Sequence, residues 1–135
     1  MAGIADYFEV ISIEDKVLNI ALRGFWSDQV IEEHSAEIQE AFKKAIERFG
    51  GKRFILVADW SESPIFGTKA QGHLAESMRL FKEHNGYKVI EIVPRALVRM
   101  GLKKAADQSG KDDFRVVVRT RTEAQEALER LLPEI

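Results

Sequence analysis

Residues 54–58 read Phe-Ile-Leu-Val-Ala, with Lys52-Arg53 before them and Asp59 after. Successive side chains of a strand point to opposite faces, so a run that is apolar at both parities needs a covering layer above and below. Five residues between charges suit a strand better than a helix. The run therefore points to an α/β chain with a largely parallel sheet covered by helices.

The other elements fall in order around this strand. Residues 7–13 and 16–23 are rich in β-formers, and Glu14-Asp15 between them leaves room only for a hairpin. Over 28–49, Val30, Ile31, His34, Ile38, Ala41, Phe42, Ala45, Ile46 and Phe49 recur at helical spacing, with Ser27 as the cap and Gly50-Gly51 as the stop. The strand 53–59 follows. A helix over about 69–84 carries the stripe Ala70, Leu74, Met78 and Phe81 and ends at Asn85-Gly86. A strand over 87–93 leads through Pro94 into a third helix reaching about residue 106. The strand 114–119 precedes a last helix, capped by Thr120 or Thr122, that carries Ala124, Leu128, Leu131 and Leu132. The expected order is ββαβαβαβα, with the βα loops gathered on one edge of the sheet.

The 135 residues, 45% of them hydrophobic, suit one domain over 1–135. The absence of cysteine rules out disulfides, a thiolate nucleophile and a cysteine zinc site, and fits a reducing, cytoplasmic setting. The start Met1-Ala-Gly-Ile-Ala-Asp6 has no signal-peptide pattern, and no apolar run approaches the roughly 20 residues of a membrane span. A net charge of −2 argues against general nucleic-acid binding. Basic residues nevertheless cluster from Lys88 to Arg121, which leaves room for a local anion site. No phosphate loop, serine elbow or clustered metal set is present, so no catalytic residue, metal or cofactor is expected.

The shared edge is the best candidate site, because ligands of open α/β sheets bind beyond the carboxyl ends of the strands. It gathers Trp26, Asp59, Trp60, Ser61, Phe66, Thr68, Lys69, Arg95, Arg119 and Arg121. Structural roles compete with functional ones there. Thr68-Lys-Ala-Gln71 reads as a capping box, and Asp59 is placed to order the next turn through Ser61. The tryptophans suit a cap over the open end of the core. Arg95, Arg99 and Lys103 form a basic stripe on the third helix, which suits a solvated face. His73 could approach Asp59, the only pairing that hints at acid–base chemistry. His34 sits in an apolar stripe and His84 at a helix C-terminus.

With these residues in view, the chain resembles the STAS domains, the sulfate transporter and anti-sigma-factor antagonist family, and within it the SpoIIAA-like branch. In that family the second strand ends in a glycine, here Gly24. The third runs into Asp-aliphatic-Ser, then an apolar residue and Asp-Ser-Ser-Gly-aliphatic-Gly. Asp59-Trp60-Ser61, Phe66 and Gly72 fall at those positions. Thr68 aligns with the phosphorylated serine, while Gly67, Lys69 and Ala70 depart from the pattern.

The resemblance implies a regulatory, non-enzymatic module that docks a protein partner, a regulator or kinase-like protein, through the βα-loop edge, with Thr68 as its switch. The alternative it implies is a lipid-binding or small anionic ligand-binding domain. Its apolar cavity would lie under the second and third helices, with Arg95, Arg119 or Arg121 holding the head. The strand 7–13, at the edge of the sheet, is open to homodimerisation.

Overall fold

The computed structural model describes residues 3–62, 68–94 and 114–135. Phe66, and the residues Arg95, Arg99, Met100, Leu102 and Lys103 of the expected third helix, lie outside them. The described elements are β1 (Phe8–Ile13), β2 (Val17–Arg23), α1 (Asp28–Glu47), β3 (Phe54–Glu62), α2 (Thr68–Glu83), β4 (Gly86–Ile92), β5 (Arg115–Val118) and α3 (Arg121–Leu131). Short 3-10 turns at Ile4–Asp6 and Leu132–Glu134 flank them.

The five strands form one mixed sheet in the order β1-β2-β3-β4-β5. The β1–β2 hairpin is antiparallel and the other pairings are parallel. Because β2, β3 and β4 are laid down side by side in one direction, right-handed crossovers put α1 and α2 on the same face. The opposite face is left to α3.

The both-sided strand is realised residue by residue. Phe54, Leu56, Ala58 and Trp60 join the core under α1 and α2. Ile55 and Val57 join a second core with Ile90, Ile92 and the α3 residues Ala124, Ala127 and Leu131. Each large side chain so buried contributes roughly 1.5–3 kcal/mol. The α2 stripe Ala70, Leu74, Met78 and Phe81 is buried as its spacing predicts.

Helix ends follow local chemistry. Ser27 Oγ accepts the Val30 N–H at 3.1 Å, and Thr120 Oγ1 accepts the Glu123 N–H at 3.1 Å, which settles the last cap on Thr120. Beyond α1, Gly50 and Gly51 take φ of 59° and 83°, the left-handed exit expected there. At the end of α2 the left-handed residue is Asn85, φ 69°, not the glycine beside it. Gly86 is needed for space instead, since a Cβ there would lie 2.3 Å from the Phe81 ring.

One boundary changes the picture of the site. β3 does not end at Asp59 but runs on to Glu62. Asp59, Trp60 and Ser61 are therefore strand residues with alternating faces, not members of one loop.

Candidate functional site

The edge beyond β2 and β3 divides between the two sides of the sheet. On the α1–α2 side, Trp26 and Trp60 are 0% and 2% exposed, their rings 5.7 Å apart. The Trp26 indole N–H donates to the Arg23 carbonyl at 2.9 Å. Both tryptophans close the end of the core, and neither presents contact area to a docking partner. Among the described residues, the exposed aromatic of this edge is Phe25, at 52%.

His73 packs edge-on against Trp26, with ring centroids 5.3 Å apart. Its Nδ1 lies 2.8 Å from Ser35 Oγ and 3.3 Å from the Gln39 amide nitrogen. The amide nitrogen can only donate, so Nδ1 accepts and the ring proton sits on Nε2. Gln39 also donates to the His73 carbonyl at 2.8 Å, and Ser77 Oγ donates to Gln39 Oε1 at 3.1 Å. These bonds tie the middle of α2 to α1. Burial pushes the His73 imidazole down to about 4, so it is neutral at physiological pH.

The expected approach of His73 to Asp59 does not occur. Asp59 points to the α3 side, where its Oδ1 accepts the Ser61 N–H at 2.9 Å and its Oδ2 accepts from Arg121. Strand parity turns Asp59 to the α3 face while His73 lies on α2 over the other face, so the two cannot form a dyad. Asp59, Ser61 and Arg121 instead border a shallow groove of about 170 Å³ with Ile11, Arg23 and Glu62. Arg119 is exposed, and its backbone N–H donates to Glu123 Oε1 at 3.2 Å.

Thr68 is the first residue of α2. Its side chain lies outside the described residues, and with it the hydroxyl half of the expected capping box. The next backbone N–H, that of Lys69, donates to Asp28 Oδ1 of α1 at 3.0 Å. The Lys69 ammonium pairs with Glu32, also of α1, and that hydrogen bond raises the ammonium above its usual range. Two groups that could receive an anion at the head of α2, the Lys69 N–H and the Lys69 ammonium, are thus already held by carboxylates.

A small cavity of about 60 Å³ lies between the sheet and the two helices, among Ala58, Trp60, Leu74, Met78, Phe81 and Glu91. Pockets that enclose drug-sized ligands run from roughly 300 Å³ upward. Of the arginines expected to hold the head of a ligand whose body fills this cavity, Arg121 is on the other side of the sheet, paired with Asp59, and Arg95 lies outside the described residues.

Sequence reasoning missed one buried pair. Glu91 and Arg115 are an ion pair with side chains 2% and 7% exposed. The only signal was an acid inside Val89-Ile90-Glu91-Ile92-Val93 and a base heading Val116-Val117-Val118. It missed equally that Ser35, Gln39 and Ser77 join the two helices.

The architecture, a mixed five-stranded sheet with α1 and α2 on one face and α3 on the other, is the STAS fold of the SpoIIAA type. Three solved structures show the likeness. The anti-sigma factor antagonist SpoIIAA in its unphosphorylated form matches with a TM-score of 0.56 at 18% identity, over 92% of this chain and 96% of that one. An anti-sigma factor antagonist from Mycobacterium paratuberculosis matches with a TM-score of 0.59 at 17% identity, over 92% and 96%. The Bacillus cell fate determinant SpoIIAA in the phosphorylated form matches with a TM-score of 0.55 at 19% identity, over 90% and 98%. No protein-family sequence model and no curated protein sequence matches the chain, so the likeness is one of fold. Among the described residues, no helix is long and apolar enough to cross a membrane.

Proposed function

We propose that this chain is a non-enzymatic, cytoplasmic regulatory module that docks a protein partner through the edge formed by the β2–α1 and β3–α2 connections, its state set at Thr68. The observation that carries the reading is the position of Thr68. It opens α2, the next described element after the central strand, in a fold shared over about nine-tenths of the chain with an antagonist described in unphosphorylated and phosphorylated forms.

A protein kinase would transfer the terminal phosphoryl group of a nucleoside triphosphate to the Thr68 hydroxyl, releasing the nucleoside diphosphate and the hydroxyl proton. The product places close to two negative charges at a helix start, where the dipole favours them. A partner that buries this edge would meet either a neutral hydroxyl or that charge. Phe25 supplies the exposed aromatic contact that protein interfaces favour.

The test compares Thr68→Ala with Thr68→Glu as bait in cells of the source organism, with Phe25→Ala alongside. The expected result is one partner recovered at least about tenfold better by one Thr68 variant than by the other, and lost with Phe25→Ala. Equal recovery by both Thr68 variants contradicts the reading.

A further inference from the structure

We propose that Asp28 and Glu32 of α1 are internal competitors of a phosphate at Thr68, so that phosphorylation there unlatches the start of α2 from α1. The inference rests on the reading of Thr68 as the switch and specifies how the fold would register it.

The first backbone N–H groups of a helix have no partner within the helix. In this chain one of them, on Lys69, is satisfied from another helix, by Asp28 Oδ1 at 3.0 Å. The side chain of the same residue is satisfied by Glu32, one turn further along α1. Lys69 thus ties α2 to α1 twice, through main chain and side chain. The ion pair is open to solvent, with Lys69 52% and Glu32 60% exposed. Lys69 is also where the chain departs from the Ser-Ser pattern that the family resemblance carries, so this latch belongs to this chain.

A phosphate prefers the same two groups, helix-start N–H donors and a lysine ammonium. On Thr68 it would be covalently held one residue from both. It carries nearly twice the charge of either carboxylate, and like charges crowded at one helix start repel. Asp28 and Glu32 would be expelled together. The deeper ties from Ser35 and Gln39 to His73, and from Ser77 to Gln39, hold the middle of α2 to α1. The movement would therefore be confined to the first turn, up to His73. Trp26 packs against His73 and is placed to report it.

The experiment places phosphothreonine at position 68 of the full chain by genetic encoding and records amide NMR spectra and tryptophan emission against the unmodified chain. The expected result is a shift of the α1 amides over residues 28–35 together with Lys69, and a change in emission. In an Asp28→Ala/Glu32→Gln variant, which removes the acceptor of the Lys69 N–H and the charge facing its ammonium, the phosphate should shift only residues 68–72. The proposal is overturned if the phosphate perturbs only 68–72 in the native chain, or if the double variant responds as the native chain does. Glu32→Gln alone, at an exposed position, keeps the test readable should the double variant not fold. Absence of phosphate on Thr68 in cells would defeat the functional reading without altering this result, because here the phosphate is installed.

Discussion

Arg115 Nε donates to a carboxylate oxygen of Glu91 across β4 and β5, with both side chains shut off from water. Val89 and Arg115 are register partners, so the arginine crosses diagonally to reach Glu91. Burial pushes the Glu91 carboxyl above its usual range, and Arg115 opposes that push by charge and by the hydrogen bond. Glu91 also borders the cavity, where it joins His73 and Ser77 as the polar residues of a mostly apolar lining.

Removing one member strands the other. Arg115→Met should cost about 3–5 kcal/mol in urea denaturation, whereas Glu91→Leu combined with Arg115→Met should recover most of that loss. A single variant within about 1 kcal/mol of the native chain would show that the pair is not held dry.

His73 makes stability depend on pH in a defined window. Its folded-state value, about 4, lies below the ordinary 6.5, so the unfolded chain binds the extra proton first. The contribution is complete above pH 6.5 and is lost as pH falls towards 4, up to about 3 kcal/mol in all. Denaturation midpoints measured between pH 7 and 4 should fall, and His73→Gln should flatten that slope.

The same substitution should have opposite signs at two glycines. Gly72 lies within α2 with open space where a Cβ would go, so Gly72→Ala should stabilise by roughly 1 kcal/mol. At Gly86 the new Cβ would meet the Phe81 ring, itself 5.2 Å from Phe54 and 5.8 Å from Phe114. Gly86→Ala should cost about 1–3 kcal/mol, read by thermal unfolding of the two variants.

Filling the cavity offers a further check. Ala58 is a buried strand residue on its floor, and a void of about 60 Å³ costs on the order of 1 kcal/mol at about 24 cal/mol per Å³. Ala58→Val should raise stability by up to about 1 kcal/mol, and a loss greater than that would mean the space is not there.

Much of the fold was legible because it is written in local pattern. The both-sided run 54–58, the stripe of α1, the stripe of α2 and the Ser27 and Thr120 caps all appear where spacing places them. The site was less legible because it depends on parity and register. One misjudged boundary, β3 ending at Glu62 instead of Asp59, turned a presumed loop into a strand and sent Asp59 and Trp60 to opposite faces. Of the adjacent aromatics Phe25 and Trp26, sequence does not say which one turns inward, and the structure buries the larger. Glu91 and Arg115 are 24 positions apart and meet only through the pairing of two strands.

The central claim, that this fold serves as a partner-docking module set at Thr68, is tested most directly by native mass spectrometry with site mapping on the chain purified gently from its own cells. The account predicts a phosphate-sized mass on a fraction of the chain, mapping to Thr68, and a bound protein partner on the unphosphorylated or the phosphorylated fraction but not on both. A phosphate-free chain, or a partner bound equally to both fractions, would contradict it.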